Sequence, residues 1–261
     1  MTSFPFDDRG LAYGDGVFET VLVRQGKPLL WAEHKARLVT GCRRLGFPPP
    51  TESALDDLCV SLPKEGAHIL KIIVTRGSGG RGYLPPSNPT PRVAMRVRPF
   101  SPHSLNADKG VTVRLCHLQL AAQPLLAGIK HLNRLENVLA RQEWQDARYA
   151  EGLLCDGAGY VIEATAMNVF WLEQGQWYTP ATTYCGVQGT LTQALVNEGH
   201  LHVATLSRET LPAVSALCLG NSVQGIWPVT ALHDASGEPL ATYAIIPSVR
   251  ALQHLAEQQM T

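Results

Sequence analysis

Apolar and polar residues change rhythm along the chain, and each change marks an element. The run "GVFETVLVRQGKPLLW" (16–31) is two apolar stretches around a polar break, and it predicts a hairpin with "RQGK" at the turn. In "AEHKARLVTGCRRLG" (32–46), Ala36, Leu38, Val39, Cys42 and Leu45 recur at roughly helical spacing, and Gly46 stops the helix. "TESALDDLCVSL" (51–62) predicts a second helix with Thr51 as its cap. "HILKIIVTR" (68–76) is a buried strand, "RGSGGRGYLPPSNPTP" (76–91) a long glycine and proline loop, and "RVAMRVRPF" (92–100) another strand.

The second half follows a different rhythm. "VTVRLCHLQL" (111–120) comes first, then "GIKHLNRLENVLARQ" (128–142). There Leu132, Leu135, Val138 and Leu139 form an apolar stripe at helical spacing, with Lys130 at the mouth of the expected helix. A cation is poorly placed at a helix N-terminus, which favours negative charge. Either Lys130 is solvated and idle, or it has a task. "EGLLCDGAGYVIEATAMNVFWLEQGQWYTP" (151–180) predicts a meander with turns at "DGAG" and "EQGQ". "GTLTQALVNEGH", "HVATLSRETL", "VSALCLGNSVQGIWPV" and a C-terminal helix complete the chain. The pattern is α+β in two domains, residues 1–103 and 110–261, with the polar residues 104–109 as the linker. No internal repeat or low-complexity segment is visible.

Composition narrows the function. The chain has 261 residues, enough for a sizeable core, and a formal net charge of zero. A nucleic-acid or acidic-membrane partner would need a basic face, so neither is expected. Six scattered cysteines without a CxxC pair argue against a metal or redox motif and fit a reducing cytoplasm. The N-terminus lacks a signal-peptide pattern, and no apolar run is long enough to span a bilayer.

Several motifs carry chemistry, each beside a plainer reading. "GSGGRG" (77–82) matches a dinucleotide fingerprint in letters only, because the prolines of "YLPPSNP" exclude the helix that fingerprint requires. Arg76 and Arg81 on this loop suit a carboxylate, and a mobile surface loop fits equally. His200 and His202 are half a metal site at most, with no accompanying ligand set. Glu163 interrupts an apolar strand, where a buried carboxylate is costly without a partner; a strand-end glutamate facing water is the alternative. "GVQGTLTQAL" (186–195) is a glycine turn opening into a helix, a place where backbone N–H groups bind phosphate or simply begin a helix.

Together a lysine, an internal acid, a phosphate-ready helix start and an arginine on the first long helix (Arg37) fit one phosphorylated aldehyde cofactor with a ring nitrogen. "RGLAYGDGVFET", "HKARL", "TRGSGGRGY", "AGIKHLNRLENVLAR", "GYVIEATAMNVFW" and "GVQGT" resemble the fold-type IV pyridoxal-phosphate enzymes, the group of branched-chain and D-amino acid aminotransferases. Within it, "GIKHLNRLE" with "RGSGGRGY" is similar to the branch that cleaves 4-amino-4-deoxychorismate to 4-aminobenzoate and pyruvate. The resemblance covers roughly residues 9–190.

It implies the two-domain fold of that group, pyridoxal 5'-phosphate as cofactor, a small-molecule substrate and a homodimer. It implies that Lys130 bonds the cofactor aldehyde and moves protons, and that Glu163 meets the pyridine nitrogen. By the same resemblance Arg37 contacts the phosphate, as do the backbone N–H groups of Thr190 and Leu191, with Asn221 adding a contact. Tyr13, Arg76 and Arg81 would lie near the substrate, some supplied by a neighbouring subunit. Two positions depart from the group. Leu135 stands where the aminotransferases usually carry a tyrosine, which argues against an ordinary aminotransferase. The phosphate turn reads Gly189-Thr190-Leu191-Thr192 where relatives usually end in arginine. The rival readings are a D-amino acid or branched-chain aminotransferase and a non-catalytic cofactor-binding protein.

Overall fold

The computed structural model describes residues 4–260, in two compact units. The first comprises Met1–Ser101 with Ile129–Arg134, the second Pro102–Gly128 with Leu135–Thr261.

In the first unit the short helix α1 (Arg9–Tyr13) precedes strand β1 (Gly16–Arg24) and its two-residue partner β2 (Lys27–Pro28). The turn between them has Gln25 at φ 51° and Gly26 at φ 77°. Two successive left-handed residues make the tight turn whose twist suits a hairpin. Helix α2 (Trp31–Arg44) and helix α3 (Glu52–Asp57) follow, the latter capped by Thr51 Oγ1, which accepts from Ala54 N–H at 3.2 Å. Strands β3 (Ala67–Thr75) and β4 (Arg92–Pro99) complete an antiparallel sheet in the order β2-β1-β3-β4. Alternation divides the faces. Val17, Val21 and Val23 of β1 and Leu70, Ile72 and Val74 of β3 join Leu38 and Cys42 of α2 in one core. Each such side chain contributes about 1.5–3 kcal/mol by burial.

The second unit opens with helix α4 (Ser104–Lys109) and strand β5 (Val111–Leu120). Residues 104–109, read as a linker from their polarity, are thus helical, and none of them is buried. Helix α5 (Leu135–Arg141) is followed by the meander β6 (Tyr149–Asp156), β7 (Val161–Ala164), β8 (Asn168–Glu173) and β9 (Gln176–Pro180). Then come α6 (Thr190–Asn197), β10 (His202–Ala204), β11 (Ala216–Asn221), β12 (Gly225–His233), β13 (Pro239–Thr242) and α7 (Pro247–Gln259). The sheet runs β10-β9-β8-β11-β12-β5-β6-β7, and β7 meets β8 again where Glu163 pairs with Asn168. That pairing closes six strands into a barrel-like ring filled by Val113, Leu153, Val169, Trp171, Leu217 and Leu219 among others. Among the described residues, no helix is long and apolar enough to cross a membrane.

Two sequence expectations change. The helix after Lys130 begins only at Leu135, so Lys130 does not stand at a helix mouth. The stripe Leu135, Val138 and Leu139 is exposed (73%, 48% and 54%) rather than core-facing.

Candidate active site

Lys130 is held by backbone hydrogen bonds at a sheet edge. β2 covers only the far end of β1, at Val23 and Arg24. The near end is taken by residues 130–132. Phe18 N–H donates to Lys130 O at 3.0 Å, Leu132 N–H donates to Gly16 O at 3.0 Å, and His131 bridges Val17. Asn133 Nδ2 adds a bond to Gly14 O at 3.0 Å. Helix α2 closes on this segment through Gly41, where a Cβ would lie 2.9 Å from Val17 Cγ1 and 3.2 Å from Ile129 Cγ2. The lysine therefore projects from a backbone hydrogen-bonded to β1 at Lys130 and Leu132 and tied again through the Asn133 side chain. Its Nζ lies 4.6 Å from the centroid of the Phe18 ring. His131 is 8% exposed, contacts Arg134 through Nε2 and leaves Nδ1 without a hydrogen-bond partner. Burial, with the charge of Arg134, pushes His131 down to about 4.

Beside it, on the core side of β1, is a buried ionic cluster that the sequence reading missed. Glu19 is 1% exposed. Arg37 donates Nε to Oε1 at 2.7 Å and Nη2 to Oε2 at 2.5 Å, and His34 Nδ1 meets Oε2 at 2.6 Å. Burial raises the cost of a charge on Glu19, but the charge and hydrogen bonds of Arg37 prevail, and its carboxyl falls to about 2. Desolvation holds His34 below its usual range against the pull of Glu19, so the imidazole is neutral and donates its Nδ1–H. The missed signal was "VFETV", an acid at the core-facing step of an alternating strand.

The glycine loop is tied down by arginines. Arg9 donates Nε to Asp15 at 2.9 Å, Nη1 to Gly82 O at 3.0 Å and Nη2 to Tyr83 O at 3.0 Å. Its guanidinium also stands 5.0 Å from the Tyr13 ring, and Tyr13 lies 5.4 Å from Tyr83. Arg76 was expected at the substrate. Instead it is buried and all three nitrogens donate: Nε to Asp15 at 2.7 Å, Nη1 to Gly46 O at 2.8 Å and Nη2 to Leu45 O at 2.6 Å. A guanidinium with every nitrogen engaged in this way anchors backbone. Arg81 is exposed, its backbone bridging Leu84, and Tyr13 is 41% exposed.

The second unit holds the remaining expected residues. Glu163 on β7 is 4% exposed, so the water-facing alternative fails. Its Oε2 accepts from Val187 N–H at 2.8 Å and its Oε1 from Asn137 Nδ2 at 3.3 Å. Asn137 also donates to Thr165 O at 3.1 Å, while its buried Oδ1 lacks a hydrogen-bond partner. Gly186 is required beside the acid: at φ 80°, its added Cβ would sit 2.6 Å from Ile162 Cγ2 and 3.3 Å from Glu163 Oε2.

Helix α6 begins at Thr190 after Gly189, and no side chain caps it. A Cβ at Gly189 would come within 1.9 Å of Asn168 Oδ1. Asn168, also missed, fastens this turn: Nδ2 donates to Val187 O at 2.9 Å and Oδ1 accepts from Thr192 Oγ1 at 3.0 Å. Thr192, at the position where relatives carry arginine, thus has a structural bond. Asn221 uses its side chain on its own turn, accepting from Val223 and Gln224 N–H at 2.9 and 2.8 Å and donating to Ala166 O at 3.1 Å.

Comparison with known proteins gives a consistent picture. The model of the family described as amino-transferase class IV matches residues 16–232. The aminodeoxychorismate lyase of Vibrio harveyi is 32% identical over 239 residues, covering 89% of this chain and 88% of that protein. The D-alanine aminotransferase of Bacillus licheniformis is 27% identical, over 89% of this chain and 85% of its own. The crystal structure of 4-amino-4-deoxychorismate lyase from Pseudomonas aeruginosa superposes with a TM-score of 0.88 at 40% identity, over 99% of this chain and 96% of that one. The match spans both the β1 edge that fixes Lys130 and the ring of strands that buries Glu163, and on that evidence the chain belongs to the class IV aminotransferase family.

Proposed function

We propose that this chain is a pyridoxal-phosphate-dependent lyase converting 4-amino-4-deoxychorismate to 4-aminobenzoate and pyruvate. The observation that carries this reading is whole-chain likeness, at 32% and 40% identity, to two proteins named for that activity. Leu135, in place of the tyrosine usual in aminotransferases, supports the lyase over its nearest rival.

The residues present fit the cofactor. Lys130 offers an amine on a rigid edge. Glu163 offers a buried carboxylate for the protonated ring nitrogen, and the unpartnered Asn137 Oδ1 beside it can take a further donor. The first turn of α6 carries the backbone N–H groups of Thr190 and Leu191, a helix start of the kind that suits a phosphate. Arg37, held against Glu19, would add a phosphate contact. When bound, pyridoxal phosphate supplies an electron sink for the charge left as a carbon loses its proton.

The work of the chain's own groups follows. Lys130 Nζ takes the proton from the amine-bearing ring carbon, at the position its pinned backbone dictates. The neighbouring C–O bond then breaks, its electron pair leaves on the enolpyruvyl oxygen, the proton carried by Lys130 is returned to the methylene carbon to give pyruvate, and the ring becomes aromatic. Glu163 opposes the positive charge on the ring nitrogen throughout. Arg81 and Tyr13, the exposed members of the loop cluster, face the substrate. The six free cysteines suit a cytoplasmic location, and a second copy of the chain covering the exposed Leu135, Val138 and Leu139 suits a homodimer.

The test is product formation from enzymatically prepared aminodeoxychorismate with no keto acid added. Equal amounts of 4-aminobenzoate and pyruvate are expected. A cofactor-loaded protein that makes neither, yet exchanges amines between D-amino acids and keto acids, would replace the lyase with the aminotransferase.

A further inference from the structure

The face of the first sheet turned away from its core carries a second amine. On β1 that face presents Phe18, Thr20 and Leu22, the alternates of the core residues. Register extends it across the sheet: Thr20 pairs with Lys71, and Lys71 pairs with Arg96. Directly opposed residues of antiparallel strands share a face, so Thr20, Lys71 and Arg96 form one row. Lys71 Nζ lies 3.5 Å from the Phe18 ring centroid and donates to Thr20 Oγ1 at 3.4 Å. Lys130 Nζ lies 4.6 Å from the same centroid, so the two amines stand no farther apart than the sum of those distances.

This row is unfavourable as it stands. Like charges directly opposite across strands repel. Among the described residues neither Lys71 nor Arg96 has a carboxylate within ion-pair distance. The acid next to Thr20, Glu19, points to the other face and is held by Arg37 and His34. Burial lowers Lys71 to about 8 although the charge of Glu19 opposes this. A half-buried ammonium facing an arginine, close to the amine of Lys130, is an arrangement that an anion would complete.

We propose that Lys71, with Arg96 beside it, binds a carboxylate of the substrate. The inference rests on the lyase reading, whose substrate is a six-membered ring carrying an amine at one end and a carboxylate at the other, with a second carboxylate on the enolpyruvyl arm. Phe18 then lies under the ring between the two lysines, and Lys71 fixes the end remote from Lys130.

The experiment compares wild type, Lys71→Met and Lys71→Arg in steady-state lyase turnover, with product inhibition and thermal melting. One charge-assisted contact is worth about a 10- to 100-fold change in affinity. Lys71→Met is expected to raise KM by about that factor, with kcat and cofactor absorbance nearly unchanged and a Tm no lower than wild type, because a like-charge pair has been relieved. Lys71→Arg is expected to recover most of the loss. Weakened inhibition by 4-aminobenzoate assigns the ring carboxylate to Lys71, and weakened inhibition by pyruvate assigns the enolpyruvyl one. An unchanged KM with both inhibitions intact overturns the proposal, as does a rise in KM that comes only with lost cofactor and a lowered Tm. Absence of turnover in the wild type is a different result: it overturns the lyase reading itself.

Discussion

Replacing Glu19 by glutamine should cost the first unit about 3 kcal/mol. The carboxylate is 1% exposed and accepts from Arg37 and His34 at 2.5–2.7 Å. Its carboxyl is lowered from 4.5 to about 2 in the folded chain. At about 1.4 kcal/mol per unit of pKa, that difference is worth about 3 kcal/mol of stability at neutral pH. The folded-state value is the depressed one. The stabilisation is therefore complete above pH 4.5 and lost as pH falls towards 2. A second route gives the same size: removing one partner of a buried ion pair typically costs about 3–5 kcal/mol, because the other charge stays buried. Glutamine would also place an amide N–H₂ against a guanidinium that has no acceptor. His34 can switch tautomer to accommodate it, and Arg37 cannot. The assay is urea unfolding and thermal melting at pH 7, where about 3 kcal/mol corresponds to a Tm lower by about 6–12 °C. Glu19→Gln should also shed cofactor on dialysis as Arg37 loosens. A loss under about 1 kcal/mol, with cofactor retained, would refute the claim that this ion pair holds Arg37 in place.

Other substitutions read different parts of the site. Lys130→Ala should abolish both turnover and the reducible covalent link to cofactor, measured by product assay and borohydride trapping; substantial residual lyase activity would sink its role. Glu163→Gln should lower kcat far more than it lowers bound cofactor, and unchanged turnover would remove the acid from the ring nitrogen. His131 is neutral when folded, its value near 4 lying below the 6.5 of an unfolded histidine. The unfolded chain therefore takes up the proton first, and stability should fall as pH drops from 6.5 towards 4. Melting His131→Gln alongside wild type at pH 7 and pH 4.5 should show a smaller drop in the variant; equal drops would place the acid sensitivity elsewhere, with His34 as the next candidate.

What was legible in the sequence was what short-range pattern determines. The hairpin followed from "RQGK" because Gln25 and Gly26 adopt the left-handed pair that a two-residue turn needs. The prolines after "GSGGRG" excluded a helix, and residues 76–91 are a loop that begins where β3 ends at Thr75. The misplaced start of the lysine helix has a long-range cause. Leu132, Leu135, Val138 and Leu139 do have helical spacing, but Phe18 and Gly16, more than a hundred residues earlier, claim the backbone of Lys130 and Leu132. Periodicity cannot register such bonds, nor can it show that an apolar stripe is left exposed. The ion pair of Arg76 was illegible for a related reason. "RGSGGRGY" shows two guanidiniums on a loop, whereas the acid that binds Arg76, Asp15, lies in "YGDG" and reaches it only after folding.

The fate of those arginines bears on how the site works. Asp15 accepts from both Arg9 and Arg76, which together also donate to carbonyls at residues 45, 46, 82 and 83. Both guanidiniums lower Asp15 against the opposing effect of burial. One carboxylate thus organises both ends of the glycine loop, and both guanidiniums are consumed in doing so. Under the lyase reading proposed above, Arg81 on the outer loop and Lys71 and Arg96 on the sheet face are cations available to an anionic substrate. The sheet pair is set by strand register, whereas Arg81 is set by a loop of four glycines. Affinity for a substrate carboxylate is better drawn from the rigid pair, since side chains already ordered lose less entropy on binding. Variants of Arg81 should then affect mainly how fast substrate is captured, and variants of Lys71 how well it is held against the lysine.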